Sequence, residues 1–207
     1  MKKAKKVVAL ALCAVMLVVG SVAGTMAYLQ SSDSVTNTFT VGKVEITLDE
    51  SKVNEYGVSQ GGRNEANTYK LMPGHEYTKD PIVHFAAKSE ASYLYVKVEN
   101  QLAGIESDAT DYKNIDAQIK ANGWEVLADN VYFKKVDANT SDAAVDYKVF
   151  EKFEVKGAVE QTELDTYANK TIVVTAYAVQ ADGFANANAA WAATFGKTTQ
   201  TPETPEA

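Results

Sequence analysis

The stretch Leu94-Tyr95-Val96-Lys97-Val98-Glu99 decides the fold. Leu94, Val96 and Val98 share one parity, and Tyr95, Lys97 and Glu99 the other. A period of two marks a β-strand with one buried face and one wet face. The same pattern recurs on either side. Val44, Ile46 and Leu48 alternate with Glu45, Thr47 and Asp49, and Tyr147, Val149, Phe153 and Val155 share a parity around Lys148, Lys152 and Glu154. Ile172 to Val179 is nearly continuous in apolar and β-branched residues, which predicts a central strand buried on both faces. Phe39 and Val41 have the opposite parity to Val44, Ile46 and Leu48, and Gly42 sits at the change of phase, so a bulge or bend is expected there.

Two short helices interrupt the strands. Tyr112, Ile115 and Ile119 are spaced for one helix, which Asn122-Gly123 stops. Phe184, Ala187, Trp191 and Phe195 form a second stripe on an alanine-rich segment ended by Gly196. Loops are expected at Gly57 to Asn67, Pro73-Gly74 and Asp137 to Ala144. Short strands with few helices predict a mainly β fold: a jelly-roll-like two-sheet β-sandwich with one or two short helices.

The N-terminus reads differently. Lys2, Lys3, Lys5 and Lys6 precede an apolar run of 13 residues, Val7 to Val19, and small residues lead to Thr25-Met26-Ala27. This is the layout of a secretory signal peptide over residues 1–27, with cleavage between Ala27 and Tyr28. The run is shorter than the ~20 apolar residues that span a bilayer. A retained anchor is the alternative if Gly20 to Ala27 extend it. Cleavage leaves residues 28–207, with 28–196 as the β-sandwich domain and 197–207, which holds two Thr-Pro-Glu units, as a disordered tail. Losing four lysines takes the net charge from −7 to −11. Such a surface repels phosphate backbones and anionic lipid, which argues against nucleic acid and, after cleavage, membrane as partners. The one cysteine, Cys13, lies in the signal run, so the exported chain must fold without disulfides.

Several blocks resemble the TasA/camelysin family. They are Thr25-Met26-Ala27-Tyr28-Leu29 with Asp33-Ser34-Val35-Thr36-Asn37-Thr38-Phe39-Thr40-Val41-Gly42; Met72-Pro73-Gly74 with Lys79-Asp80-Pro81-Ile82-Val83; Tyr93 to Asn100; and Tyr177 to Phe184 with Ala190-Trp191. The middle, from about 101 to 170, diverges. The resemblance implies a secreted jelly-roll subunit of extracellular matrix or biofilm fibres on a bacterial surface. It also implies processing by a dedicated SipW-type signal peptidase, with an accessory anchor protein as a further partner. In such fibres the N-terminal segment of one subunit completes the sheet of the next. Residues 28–41 suit that role by their own chemistry. Val35, Thr36, Asn37, Thr38, Phe39, Thr40 and Val41 make a strand without Pro or charge, and a free terminal strand can add to an open sheet edge. The same residues could equally be the first strand of their own sheet.

Catalytic motifs are sparse, and no enzyme and no cofactor is expected. The camelysin branch implies a metallopeptidase, so His75, Glu76 and His84 are weak metal candidates. The two histidines are nine residues apart with Pro81 between them, which one zincin helix cannot present. There is no G-x-S-x-G elbow, and Gly61-Gly62-Arg63 lacks the Lys-Ser/Thr of a phosphate loop. Asp137, Asn139, Ser141 and Asp142 begin like a calcium loop, but Asp142 stands where glycine is needed and Lys148 where glutamate is needed. Asp108 and Asp111 are one acidic pair among many in this chain. Trp124, Trp191, Tyr93, Tyr95, Tyr132 and Phe133 could form a carbohydrate platform, but most lie on apolar faces and read as core. The expected function is a self-assembling homopolymer subunit. The alternatives are a monomeric secreted adhesion module and a camelysin-like metal-dependent peptidase.

Overall fold

The β5 strand, Ser92–Asn100, is buried along most of its length. A computed structural model of the chain describes residues 42–108 and 114–196. The chain divides into two units, Met1–Thr40 and Val41–Ala207, and the described residues all belong to the second. The expected cleavage site Ala27-Tyr28, the expected strand 35–41, Asp111, Tyr112 and the tail therefore lie outside the described residues, as does the phase change at Gly42 that involves Phe39 and Val41.

The fold is mainly β, with two four-stranded antiparallel sheets and a third of two strands. The first sheet has the order β2-β1-β4-β8, from β1 (Ile46–Val53), β2 (Ser59–Asn64), β4 (Ile82–Phe85) and β8 (Val145–Lys148). The second has the order β10-β5-β7-β6, from β5, β6 (Glu125–Ala128), β7 (Val131–Val136) and β10 (Ile172–Gln180). A small ribbon pairs β3 (Glu76–Thr78) with β9 (Lys152–Glu154). The chain crosses between the large sheets after β4 and again after β7, as the expected two-sheet β-sandwich requires. Val83, Phe85, Leu94, Val96 and Val98 are buried in one core that draws on both sheets, and Ile46, Leu48, Val174 and Ala176 pack against it.

Three short helices stand among the described residues, one more than expected. Helix α1 (Ile115–Ala121) begins where Asn114 Oδ1 accepts the Ala117 N–H and ends at Asn122, followed by Gly123 at φ 79°. The position of Gly123 just past the helix suits a residue that tolerates positive φ. Helix α2 (Gln161–Thr166) buries little beyond Leu164, which leaves no stripe for a sequence reading to find. Helix α3 (Ala187–Thr194) is capped by Asn186 and lies on the outer face of the second sheet.

That placement changes the reading of β5. Tyr93 and Tyr95 have the outward parity, yet both are buried in a second cluster, where Trp191 of α3 and Phe195 just after it pack on the Tyr95 ring. The Tyr95 hydroxyl donates to the Ala187 carbonyl at 2.8 Å. Trp124, Tyr93, Tyr95 and Tyr132 are all core residues. The predicted central strand, Ile172 to Val179, is instead an edge strand that pairs only with β5 among the described residues. Its apolar character comes from the core beneath it and from α3 above it, not from a strand on each side.

Two further expectations are corrected. Residues 57–67 are not simply a loop, because Ser59–Asn64 pairs with β1 through Glu50↔Asn64, Ser51↔Arg63 and Val53↔Ser59. Its Ser-Gln-Gly-Gly-Arg-Asn sequence has no apolar alternation, and the pairing alone makes it a strand. The run from Tyr147 to Val155 breaks into two strands in different sheets. Helix α1 accounts for the break: Gln118 Oε1 accepts from Glu151 N–H and its Nε2 donates to the Lys152 carbonyl, while Asn122 and Trp124 donate to the carbonyls of Val149 and Lys148. Side chains satisfy backbone that a continuous ladder would have used.

The 137–144 crossover is pinned rather than loose. Asn139 is buried, and its Nδ2 lies 2.8–3.2 Å from the carbonyls of Phe85, Ala86 and Ala143. Replacing Asn139 by Ala leaves those acceptors unmatched, and a loss of about 1–3 kcal/mol is expected. Urea unfolding checks it: the midpoint should fall with the slope unchanged.

Candidate functional site: an open sheet edge and the groove beside it

Among the described residues four strand edges close the two large sheets, and three of them are blunted. β8 is four residues long, β6 is four residues with a register shift between Val126 and Ala128, and β2 carries Gly61 and Gly62 at φ 75° and 76°. Short, bulged or twisted edges resist pairing with another chain. β10 has none of these devices. It runs nine residues in unbroken register with β5, from Ile172↔Asn100 to Gln180↔Ser92, and contains no charged residue.

Beside this edge the two sheets part. β1 of the first sheet lies near β10 of the second. Between them opens a groove of about 810 Å3, with an apolar floor that includes Leu48, Leu71, Leu102, Leu164, Ile172 and Val174. One wall is the Tyr167 ring, and Gly104 is what lets it in: a Cβ on Gly104 would stand 2.2 Å from the Tyr167 hydroxyl. At the end near β1 the lining turns polar with Glu50, Asn67 and Lys79. Glu50 is the unexpected member. It continues the core parity of Ile46 and Leu48 and is buried, with its carboxylate 2.6 Å from Lys79 Nζ. A charge at the next core-facing position of an alternating strand is the sequence signal that could have found it. Burial, and then the Glu50 carboxylate, push the Tyr69 hydroxyl well above its usual range, and that hydroxyl donates to the Thr78 carbonyl at 3.0 Å.

The weak metal candidates are not brought together. His75 Nε2 meets the Tyr56 carbonyl at 2.9 Å, and its ring packs edge-on against Tyr77. Glu76 pairs with Lys152 across the small ribbon. His84 sits at the middle of the first sheet, its Nδ1 2.6 Å from Asp146 and its Nε2 2.9 Å from Asp49. Among the described residues, no group of three or more His, Cys, Asp or Glu side chains is placed to hold a metal ion. In the calcium-like loop, Asn139 is spent on backbone carbonyls and Asp142 pairs with Lys88. Among the described residues, no helix is long and apolar enough to cross a membrane.

His84 belongs to a charge network on the outer face of the first sheet. Arg63 from β2 donates to Asp49 through Nε and reaches Asp80 Oδ2 at 3.3 Å and the Asp49 and Asp80 carbonyls at 3.1 Å. Burial pulls the His84 pKa down, but the hydrogen bonds to Asp49 and Asp146 outweigh it and hold it above the ordinary value. Burial likewise raises Asp49, and the donors His84 and Arg63 outweigh that and hold it low.

Comparison with protein-family models, curated proteins and solved structures finds no match to this chain.

The network has a pH signature. A raised imidazole pKa adds stability that is fully present below its ordinary value of 6.5 and is lost as pH rises through the folded-state pKa. Asp49 does the reverse: its contribution is lost as pH falls below its ordinary 3.8. The difference in unfolding free energy between wild type and His84→Gln should therefore be largest between these values and shrink as pH rises past 6.5. Urea titrations of both proteins across pH 5 to 9 check it, and a difference independent of pH would contradict it.

Proposed function

We propose that the protein is an extracellular structural subunit that polymerises by β-strand addition, its N-terminal segment from residue 28 onward completing the sheet of the next copy at β10. One observation carries the reading: the longest and least protected sheet edge of the described residues runs along an apolar groove between the sheets. An unpaired edge offers a row of N–H and C=O groups, and an added strand gains main-chain hydrogen bonds from it and side-chain burial from the groove.

The sequence of residues 35–41 is complementary to such a place. Val35, Asn37, Phe39 and Val41 share one parity and Thr36, Thr38 and Thr40 the other, so the strand has one mainly apolar face for the groove, interrupted by Asn37, and one hydroxyl-bearing face for solvent. Signal cleavage after Ala27 would release this strand from its tether and so start assembly. The lack of cysteine outside the signal run leaves subunit contacts to backbone pairing and apolar burial. The resemblance to the TasA/camelysin family points the same way.

Negative-stain microscopy and size-exclusion chromatography of residues 28–207 test the proposal, beside a form with a short extension before Tyr28 and a form lacking residues 28–38. Fibres from the first and folded monomers from the other two are expected. Fibres from the deleted form overturn strand donation. Monomers from all three at every concentration mean that the segment pairs within its own chain, and a monomeric surface module becomes the better reading.

A further inference from the structure

Glu50, Asn67 and Lys79 meet in a way that an ion pair alone does not need. Both oxygens of the Glu50 carboxylate are engaged: Oε2 accepts from Lys79 Nζ at 2.6 Å, and Oε1 accepts from Asn67 Nδ2 at 2.8 Å. An amine and a carboxamide are thus held on the two arms of one buried carboxyl group. The Asn67 carbonyl points the other way, into two donors: the Val53 N–H at 3.0 Å and Asn64 Nδ2 at 3.1 Å. Asn67 Nδ2 also donates to the Ser51 carbonyl at 2.9 Å, so the amide has donors on its oxygen and acceptors on its nitrogen. Asn64 Oδ1 is left buried with no hydrogen-bond partner while its nitrogen serves Asn67. Lys79 is held in place by its neighbour: Asp80 accepts the Ser51 N–H at 2.7 Å and the Ser51 hydroxyl at 2.8 Å. The Lys79 and Glu50 side chains are only 12% and 8% exposed.

From this geometry we propose that Lys79 and Asn67 form an intramolecular amide cross-link, with Glu50 as the proton-transfer group. Lys79 passes a proton to Glu50 and becomes a neutral amine, the nucleophilic form. The 2.6 Å contact between Lys79 Nζ and Glu50 Oε2 gives that proton a direct path. The Nζ lone pair attacks Asn67 Cγ and forms the Nζ–Cγ bond. The carbonyl electrons move to Oδ1, where the Val53 N–H and Asn64 Nδ2 stabilise the developing charge as an oxyanion hole does. Glu50 returns the proton to Asn67 Nδ2, the Cγ–Nδ2 bond breaks and the carbonyl re-forms. Nζ gives up a second proton to the departing nitrogen, which leaves as ammonium. One ammonium and one amide are consumed and one of each is formed, so no oxidant or co-reactant is required. The groove next to the triad is an exit for the ammonium. The product ties the segment after β2 to the turn before β4 by a covalent bond, in a chain whose exported part has no cysteine for a disulfide.

Tryptic peptide mapping by mass spectrometry on the purified protein tests the cross-link. Fragments 64–70 and 71–88 should be recovered joined, lighter by one ammonia than their sum and uncut at Lys79. Separate linear fragments with cleavage after Lys79 overturn the proposal. So does an ammonia loss confined to fragment 64–70, which is a cyclic imide at Asn67. Lys79→Arg should give no joined fragment. Glu50→Gln should slow its appearance by about 10²–10⁴-fold, the contribution of a positioned proton-transfer group, and an unchanged rate in that variant overturns the role of Glu50. If Glu50→Gln fails to fold, the map of the unaltered protein still decides whether the bond forms.

Discussion

The arrangement depends on β5 being covered on both faces. Leu94, Val96 and Val98 point into the space between the sheets, and Tyr93 and Tyr95 point out into a second cluster roofed by Trp191 and Phe195. Each fully buried apolar side chain contributes about 1.5–3 kcal/mol, so a strand buried on both faces is the strongest element to build on. β7 and β10 pair with its two sides. β10 pairs with β5 and lies under α3, and among the described residues no strand pairs with its other edge. A rigid open edge is what a strand-adding partner requires, since a frayed one would first have to be ordered.

β1 divides its work by parity. Its inner positions carry Ile46 and Leu48 into the core and then place Glu50 at the polar end of the groove. Its outer positions carry Asp49 and Ser51 into the network with Arg63, His84 and Asp80. Asp80 is tied to Ser51, and Lys79, next to Asp80, is tied to Glu50, so the two faces brace each other across one strand. Isolated surface ion pairs add little to stability. This network is half-buried and shared among four strands, so it links all the strands of the first sheet through side chains.

The apolar groove and the polar triad are neighbours, and their chemistry is separate. A strand entering the groove needs an apolar floor and a free edge. A Lys–Asn bond needs a buried carboxyl group and a polarised carbonyl. The segment 65–71 serves both, because it lines the groove and carries Asn67. Fixing that segment would fix one wall of the groove before any strand entered it.

Much of the architecture could be read from period alone. The alternations at Val44 to Leu48 and Leu94 to Val98, and the helical spacings at Ile115/Ile119 and Ala187/Trp191, each report a burial pattern written into adjacent residues. What only the tertiary structure decided was set by partners distant in sequence. Among the described residues Ile172 to Gln180 is an edge, because burial above and below a sheet looks the same in sequence whether or not a strand lies alongside. Ser59 to Asn64 became a strand because β1 pairs with it, despite its glycines. Glu50 and Lys79 lie 29 positions apart in the chain with Asn67 between them, and only Glu50, a charge at a core-facing position, leaves a trace in the sequence. The sequence by itself determined which residues prefer to leave water. Which polar groups then meet in the space left behind depends on how the strands are stacked, since hydrogen bonds act over a few ångströms and carry no periodic trace along the chain.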